Sequence, residues 1–186
     1  MDNPDIRNAE MPHFSVRPEE DEYPAYYKPY ISLVPETNVV DYMIQQLASL
    51  THLLQSVGES DAGFRYAEGK WTIKELVGHL CDSERIFGYR ALRFARNDET
   101  ALPEYDHDRY VETANFDRRI LHSLSEELYN LRKANIRLFR SFTAEELSRW
   151  GTASGSRFTV RAIMFITAGH TAHHMDVLKD KYLSEL

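Results

Sequence analysis

The chain has 186 residues, of which 42% are hydrophobic and 27% charged, and it carries a formal net charge of -7. That length and composition fit one domain with a full core. The acidic balance argues against a nucleic-acid binder that works by neutralising phosphates, a local basic patch aside. A single cysteine, Cys81, excludes an intrachain disulfide and a thiolate metal cluster. With a polar, acidic N-terminus and no apolar run near the ~20 residues that span a bilayer, a cytoplasmic protein with no membrane segment is expected.

Residues 1–35 hold six of the seven prolines, so helix is not expected there. Residues 1–12 read as loose. Tyr23, Tyr26, Tyr27, Tyr30, Ile31, Leu33 and Val34 give residues 17–35 the surface of an extended arm packed on the body. The domain is expected over 17–186, after a loose segment 1–16. The first long helix is predicted over 37–57, where Val40, Met43, Ile44, Leu47, Leu50, Leu54 and Val57 keep the 3–4 spacing and Gly58 ends the run. His52 falls at the edge of that face.

The second helix opens on Thr72-Ile73-Lys74-Glu75, a capping box, and runs to about Asn97. Ile73, Leu76, Val77, Leu80, Phe87, Ala91 and Phe94 form its apolar face, with Glu84 in the middle and His79 beside it. Residues 98–114 have no strong period and read as a long ordered loop, with Asp106, His107 and Asp108 as solvated polar residues. The third helix is predicted over 116–141 from Ile120, Leu121, Leu124, Leu128, Leu131 and Leu138, leaving His122 exposed. Thr143 and Glu146 make a second capping box. Residues 150–158 read as a Gly/Ser turn, and the fourth helix covers about 159–183. No strand pattern stands out. The expected architecture is all-α, a four-helix bundle whose long connections do not force an alternating order.

The chemistry concentrates in Gly169-His170-Thr171-Ala172-His173-His174. His170 and His174 lie one turn apart on a helix face shared with Ile163, Ile166 and Val177. Two imidazoles turned towards a core are either satisfied core histidines or ligands of a metal. His79 offers a third ligand from the second helix, and three histidines with an open position make a catalytic zinc-type set. His173 rivals either ligand of the fourth helix. Asp82 or Glu84 could accept a hydrogen bond that fixes a ligand tautomer. Glu84 is also a candidate catalytic base, unless it pairs with Arg85, Arg90 or Arg161. Cys81 sits among apolar neighbours without the signs of an activated thiolate. HEXXH and phosphate-loop motifs are absent.

Four stretches carry a resemblance: Arg17–Tyr23 (RPEEDEY), Gly69–Asp98 (GKWTIKELVGHLCDSERIFGYRALRFARND), Gly151–Gly155 (GTASG) and Gly169–Tyr182 (GHTAHHMDVLKDKY). Together they resemble the DinB/YfiT-like superfamily of metalloenzymes. The resemblance implies a four-helix bundle with a non-alternating helix order. It also implies a divalent metal, zinc or nickel in the usual case, held by His79, His170 and His174. Characterised relatives include S-transferases that use low-molecular-weight thiols such as bacillithiol or mycothiol, and a thiol-dependent maleylpyruvate isomerase. One departure is Thr171, where relatives often have an acidic residue after the first histidine of the last helix.

The expected function is therefore a metal-dependent thiol S-transferase, or a related hydrolase, acting on a small molecule. The competing reading is a metal-binding stress or interaction protein without turnover. The arm 17–35 and the loop 98–114 are expected to wall the cleft, and a homodimer is the expected assembly.

Overall fold

Residues 12–186 are described by the computed structural model, and they comprise seven α-helices and one β-hairpin joined by short 3-10 turns. In chain order these are α1 (Lys28–Ser32), α2 (Val39–Gln55), α3 (Ile73–Ala95), α4 (His107–Ala114), α5 (Leu121–Arg140), α6 (Ala144–Leu147), β1 (Trp150–Ala153), β2 (Ser156–Thr159) and α7 (Val160–Val177). The four long helices form the bundle. Both α2 and α3 pack against α5 and α7. The two consecutive helices α2 and α3 are thus diagonal partners, which is the non-alternating order.

Each long helix has a local reason to start where it does. Asn38 caps α2, its side chain accepting from the backbone N–H of Val40 at 3.0 Å and of Asp41 at 3.2 Å. Both expected capping boxes are present, Thr72 with Glu75 on α3 and Thr143 with Glu146 on α6. Thr159 Oγ1 accepts from Ala162 N at 3.0 Å and starts α7.

Three short elements correct the sequence reading. Residues 150–159 form an antiparallel hairpin, not a plain turn. Ser154 and Gly155 take φ of 51° and 71°, the left-handed pair that a two-residue hairpin turn requires. Gly151 lets β1 lie on the Phe94 ring, since a Cβ there would come within 1.8 Å of it. Residues 107–114 are helical because Asp106 caps them, accepting from Arg109 N at 3.0 Å. Residues 28–32 are helical despite Pro29, which sits in the first turn, where no intrahelical N–H is lost.

The arm is tied down by polar contacts to its own backbone and to α7. Arg17 donates to the carbonyls of Val34 and Ile31, both at 2.7 Å. Glu22 pairs with Arg161 and accepts from Thr159 Oγ1 at 2.7 Å. Residues 1–11 of the segment expected to be loose lie outside the described residues. Pro12–Ser15 form a turn whose Phe14 is buried.

Buried side chains fall into two groups. One gathers Phe94, Phe139, Phe158, Ile163 and Phe165, and the other Leu76, Leu80, Leu124, Leu128 and Tyr182. Ile44 and Ile120, expected inside, are exposed. Ile120 is the cap residue of α5, outside the helical stripe. His52 and His122 are exposed as expected. Cys81 is buried and burial pushes its thiol pKa up, in keeping with an inert core role. Among the described residues no helix is long and apolar enough to cross a membrane.

Candidate metal centre

α7 remains helical through Val177, so His170 and His174 stand one turn apart on it. α3 crosses α7 and brings His79 to the same point. The Nε2 atom of His170 lies 3.1 Å from that of His79 and 3.2 Å from that of His174. One ligating atom from each of the three lies within 4.8 Å of the other two. His79 is buried, while His170 and His174 keep partial exposure. His173 turns elsewhere, its ring edge-on to Tyr30 with centroids 5.4 Å apart.

Aromatic rings enclose the trio. Trp71 lies 4.7 Å from His79 and 6.4 Å from His174, stacked on the latter. Phe87 and Tyr30 approach His170 at 5.6 and 5.7 Å. His107, from α4, comes within 5.7 Å of His79. These surroundings set the charge state. Burial lowers the His79 pKa to about 3, with a smaller contribution from His107. His170 and His174 are also held well below the ordinary histidine value, by burial first and then by the neighbouring imidazoles. All three are therefore neutral near pH 7, the state in which imidazole is a ligand.

The donor set fits a divalent cation. Nitrogens bound about 2.0–2.1 Å from one ion, at angles between about 90° and 109°, lie roughly 2.9–3.4 Å apart. The two Nε2 separations fall inside that window. Among the described residues no Asp, Glu or Cys joins the three histidines, so protein ligands would leave coordination positions open. The Nδ1 atom of His174 is buried without a partner.

Glu84 belongs to a different arrangement. Its Oε1 pairs with Arg132 of α5 at 2.6 Å, and its Oε2 accepts from Asn135 Nδ2 at 2.8 Å. Arg132 also donates to Gln46 Oε1 at 2.9 Å and to Thr171 Oγ1, next to His170. Gln46 in turn donates to the Ala168 carbonyl at 2.9 Å. One buried guanidinium thus links α2, α3, α5 and α7 behind the histidines. Glu84, a candidate from the sequence for a base at the metal or for the partner of an arginine, has its oxygens engaged with Arg132 and Asn135.

The partner of Glu84 is none of the three arginines weighed from the sequence. Arg85 pairs with Glu127 at 2.6 Å, Arg161 pairs with Glu22, and Arg90 has no ion pair among the described residues. Asp82 is half-buried and 3.6 Å from Arg85, away from the trio.

Trp71 and Arg132 were missed in the sequence, though both left a signal. Trp71 immediately precedes the Thr72 cap, the place of a hydrophobic staple. Arg132 sits in the middle of the Leu124, Leu128, Ile136 stripe, where a charge demands a partner. Asp106 and Asp108 are exposed, as expected. His107 is exposed too, yet its ring reaches the site.

Comparison with known proteins follows the same lines. The family model described as the DinB superfamily matches residues 42–178. A protein of Halalkalibacterium halodurans named "Putative metal-dependent hydrolase BH0277" is 26% identical over 135 residues, covering 71% of this chain and 78% of that protein. Among solved structures, YfiT from Bacillus subtilis is described as "a probable metal-dependent hydrolase with an unusual four-helix bundle topology". It superposes with a TM-score of 0.72 at 17% identity, over 91% of this chain and 93% of its own. A mycothiol-dependent maleylpyruvate isomerase gives a TM-score of 0.61 at 15% identity, over 81% of this chain and 66% of its own. At these identities the two structures establish the shared fold.

Proposed function

The chain belongs to the DinB superfamily, and on that premise we propose a metal-dependent enzyme whose ion is held by His79, His170 and His174. The observation that carries the reading is the convergence of three neutral Nε2 atoms from two helices, with no carboxylate or thiolate among the described residues to complete the set. When bound, a zinc- or nickel-type divalent ion supplies Lewis acidity that lowers the pKa of a nucleophile in an open position.

We assign that nucleophile as the thiol of a small molecule and the reaction as S-transfer to an electrophile. Among the described residues no carboxylate base joins the cluster for water attack, and Glu84 is committed to Arg132. A thiol would need no such base, since at an ion held by His79, His170 and His174 its pKa would fall far enough for the proton to leave to solvent. The names of the relatives support metal dependence, and the mycothiol-dependent isomerase supports a thiol. The chain's own residues hold and shield. Trp71 backs His79 and His174, Phe87 and Tyr30 flank His170, and the Arg132 network fixes α3 against α7.

Untagged protein should carry close to one equivalent of metal by elemental analysis, and His79→Ala or His170→Ala should carry far less. Metal-loaded protein incubated with a panel of thiols and a chlorodinitrobenzene electrophile should exceed the metal-free rate. No excess rate with any thiol in the panel would sink the transferase assignment while leaving the metal centre standing.

A further inference from the structure

Among the described residues two arginines are almost fully buried, Arg90 and Arg132, each 2% exposed. Arg132 is neutralised by Glu84. Arg90 is not neutralised by any carboxylate among the described residues. Its Nη2 donates to the Pro103 carbonyl at 3.2 Å and to Ser154 Oγ at 2.9 Å, and its guanidinium carbon lies 5.7 Å from the Tyr105 ring centroid. A buried charge with neutral partners alone is costly, and an anion is the partner that removes the cost.

A second observation points the same way. Ser83 Oγ is buried and makes no hydrogen bond of good geometry, with the Tyr105 hydroxyl as a polar neighbour. Ser83 lies one turn beyond His79 on α3, Phe87 one turn beyond Ser83, and Arg90 about one turn further, so the four share one face.

Two chains of rings connect Arg90 to the histidine trio. On one side the Tyr105 ring lies 6.5 Å from that of His107, itself 5.7 Å from His79. On the other side Tyr27 lies 6.2 Å from Tyr30, itself 5.7 Å from His170. Tyr27 feels Arg90 directly: burial raises its pKa and the nearby guanidinium opposes the rise. Tyr27, Tyr30, Tyr105, His170 and His174 are all half-buried, whereas Ser83, Phe87 and Arg90 are buried.

The geometry points to Ser83 and Arg90 as the recognition end of the metal centre, taking a carboxylate-bearing small molecule that runs along α3 from the histidine trio. This inference rests on the metal-dependent thiol reading above. Arg90 supplies the charge-assisted contact to the carboxylate, Ser83 donates to a polar atom midway, and Phe87 and Tyr105 cover the apolar stretch between. His79 and Arg90 are about 16 Å apart along the helix axis at 1.5 Å per residue, so the ligand is an extended one.

A homologous set of mercaptoalkanoic acids, from 3-mercaptopropionic to 11-mercaptoundecanoic acid, measures this span against the matching amides. The protein is loaded with cobalt(II), and the thiolate-to-cobalt absorption band reports thiol binding without any turnover. The acids of longer chain should bind at least about tenfold tighter than their amides, the worth of a hydrogen bond to a charged group. That preference should fall in Arg90→Met and persist in part in Arg90→Lys, with metal content unchanged.

Equal binding of long acids and amides by the wild-type protein would overturn the inference, and this comparison stands even if Arg90→Met fails to fold. It would then leave Arg90 as a tie between the Pro103 loop and the hairpin. A preference confined to the shortest acid would mean chelation of the ion by the ligand's own carboxylate and would overturn it equally. If no thiol gives a band on cobalt-loaded protein, the thiol reading itself fails and the inference falls with it.

Discussion

His79, His170 and His174 are neutral because burial disfavours their charged forms, and that has a measurable cost on acidification. An exposed histidine in the unfolded chain titrates near 6.5, whereas the folded His79 titrates near 3. Between those values the unfolded state binds more protons, so the stability of metal-free protein falls as pH drops below about 6.5 and goes on falling towards about 3. Each of the three groups contributes at most about 1.4 kcal/mol per pH unit. Urea midpoints of metal-free protein should therefore stay nearly level from pH 7.5 to about pH 6.5 and decline from there to pH 5, and a profile level to pH 5 would contradict neutral burial.

The buried pair behind the histidines makes a second prediction at the same scale. Glu84→Gln leaves the Arg132 charge without its partner and should cost roughly 3–5 kcal/mol in denaturant unfolding. Replacing both residues with apolar ones should cost clearly less than the sum of the two single changes. The meeting of His170 and His174 was legible in the sequence because helical spacing alone puts residues 170 and 174 on one face. Arg132 was not read, although the reasoning that singled out Glu84 applies to it equally. Recognising the two as a pair requires knowing that α3 faces α5, and no local pattern carries that.

Among the elements, the four long helices were legible to within a few residues at most ends, since their apolar stripes and caps are local. The exceptions share a cause. α1, α4 and the hairpin are too short for a period to show, and each is fixed by one cap, one turn or one distant contact. β1, for instance, is bridged by Leu102, whose N–H donates to the Thr152 carbonyl at 2.9 Å.

Element packing also makes Gly169 a sharp test. Glycine inside a helix is ordinarily worse than alanine by about 1 kcal/mol. Here a Cβ would come within 2.0 Å of the Tyr30 carbonyl oxygen, backbone that cannot swing aside. Gly169→Ala should therefore destabilise by about 1–3 kcal/mol and loosen α1 from α7, seen as faster proteolysis within residues 25–34. A gain in thermal stability would show that the arm does not rest on α7 as described.

For the molecule as a whole, the histidine trio draws on α3 and α7 while the side chains around it come from α1, α4 and the segment before α3. A ligand that binds only this assembled state stabilises it, by about 2.7 kcal/mol at a hundred times its dissociation constant. Zinc added to metal-free protein at that excess should raise the melting temperature by about 5–11 °C, on the order of 2–4 °C per kcal/mol for a domain of this size. His170→Ala should show no such rise.

The last turns of the chain have a part in this that their distance from the histidines conceals. Tyr182 is buried, and its hydroxyl donates to the Trp71 carbonyl at 2.8 Å while its ring packs edge-on to Tyr66. A chain that stopped just short of Tyr182 would still possess every histidine and every long helix. It would lose the anchor that keeps Trp71 against His79, opening one flank of the trio to water. Completion of synthesis to Tyr182 is thus a condition for a closed histidine site, and premature termination there should yield a folded protein with a leaky one.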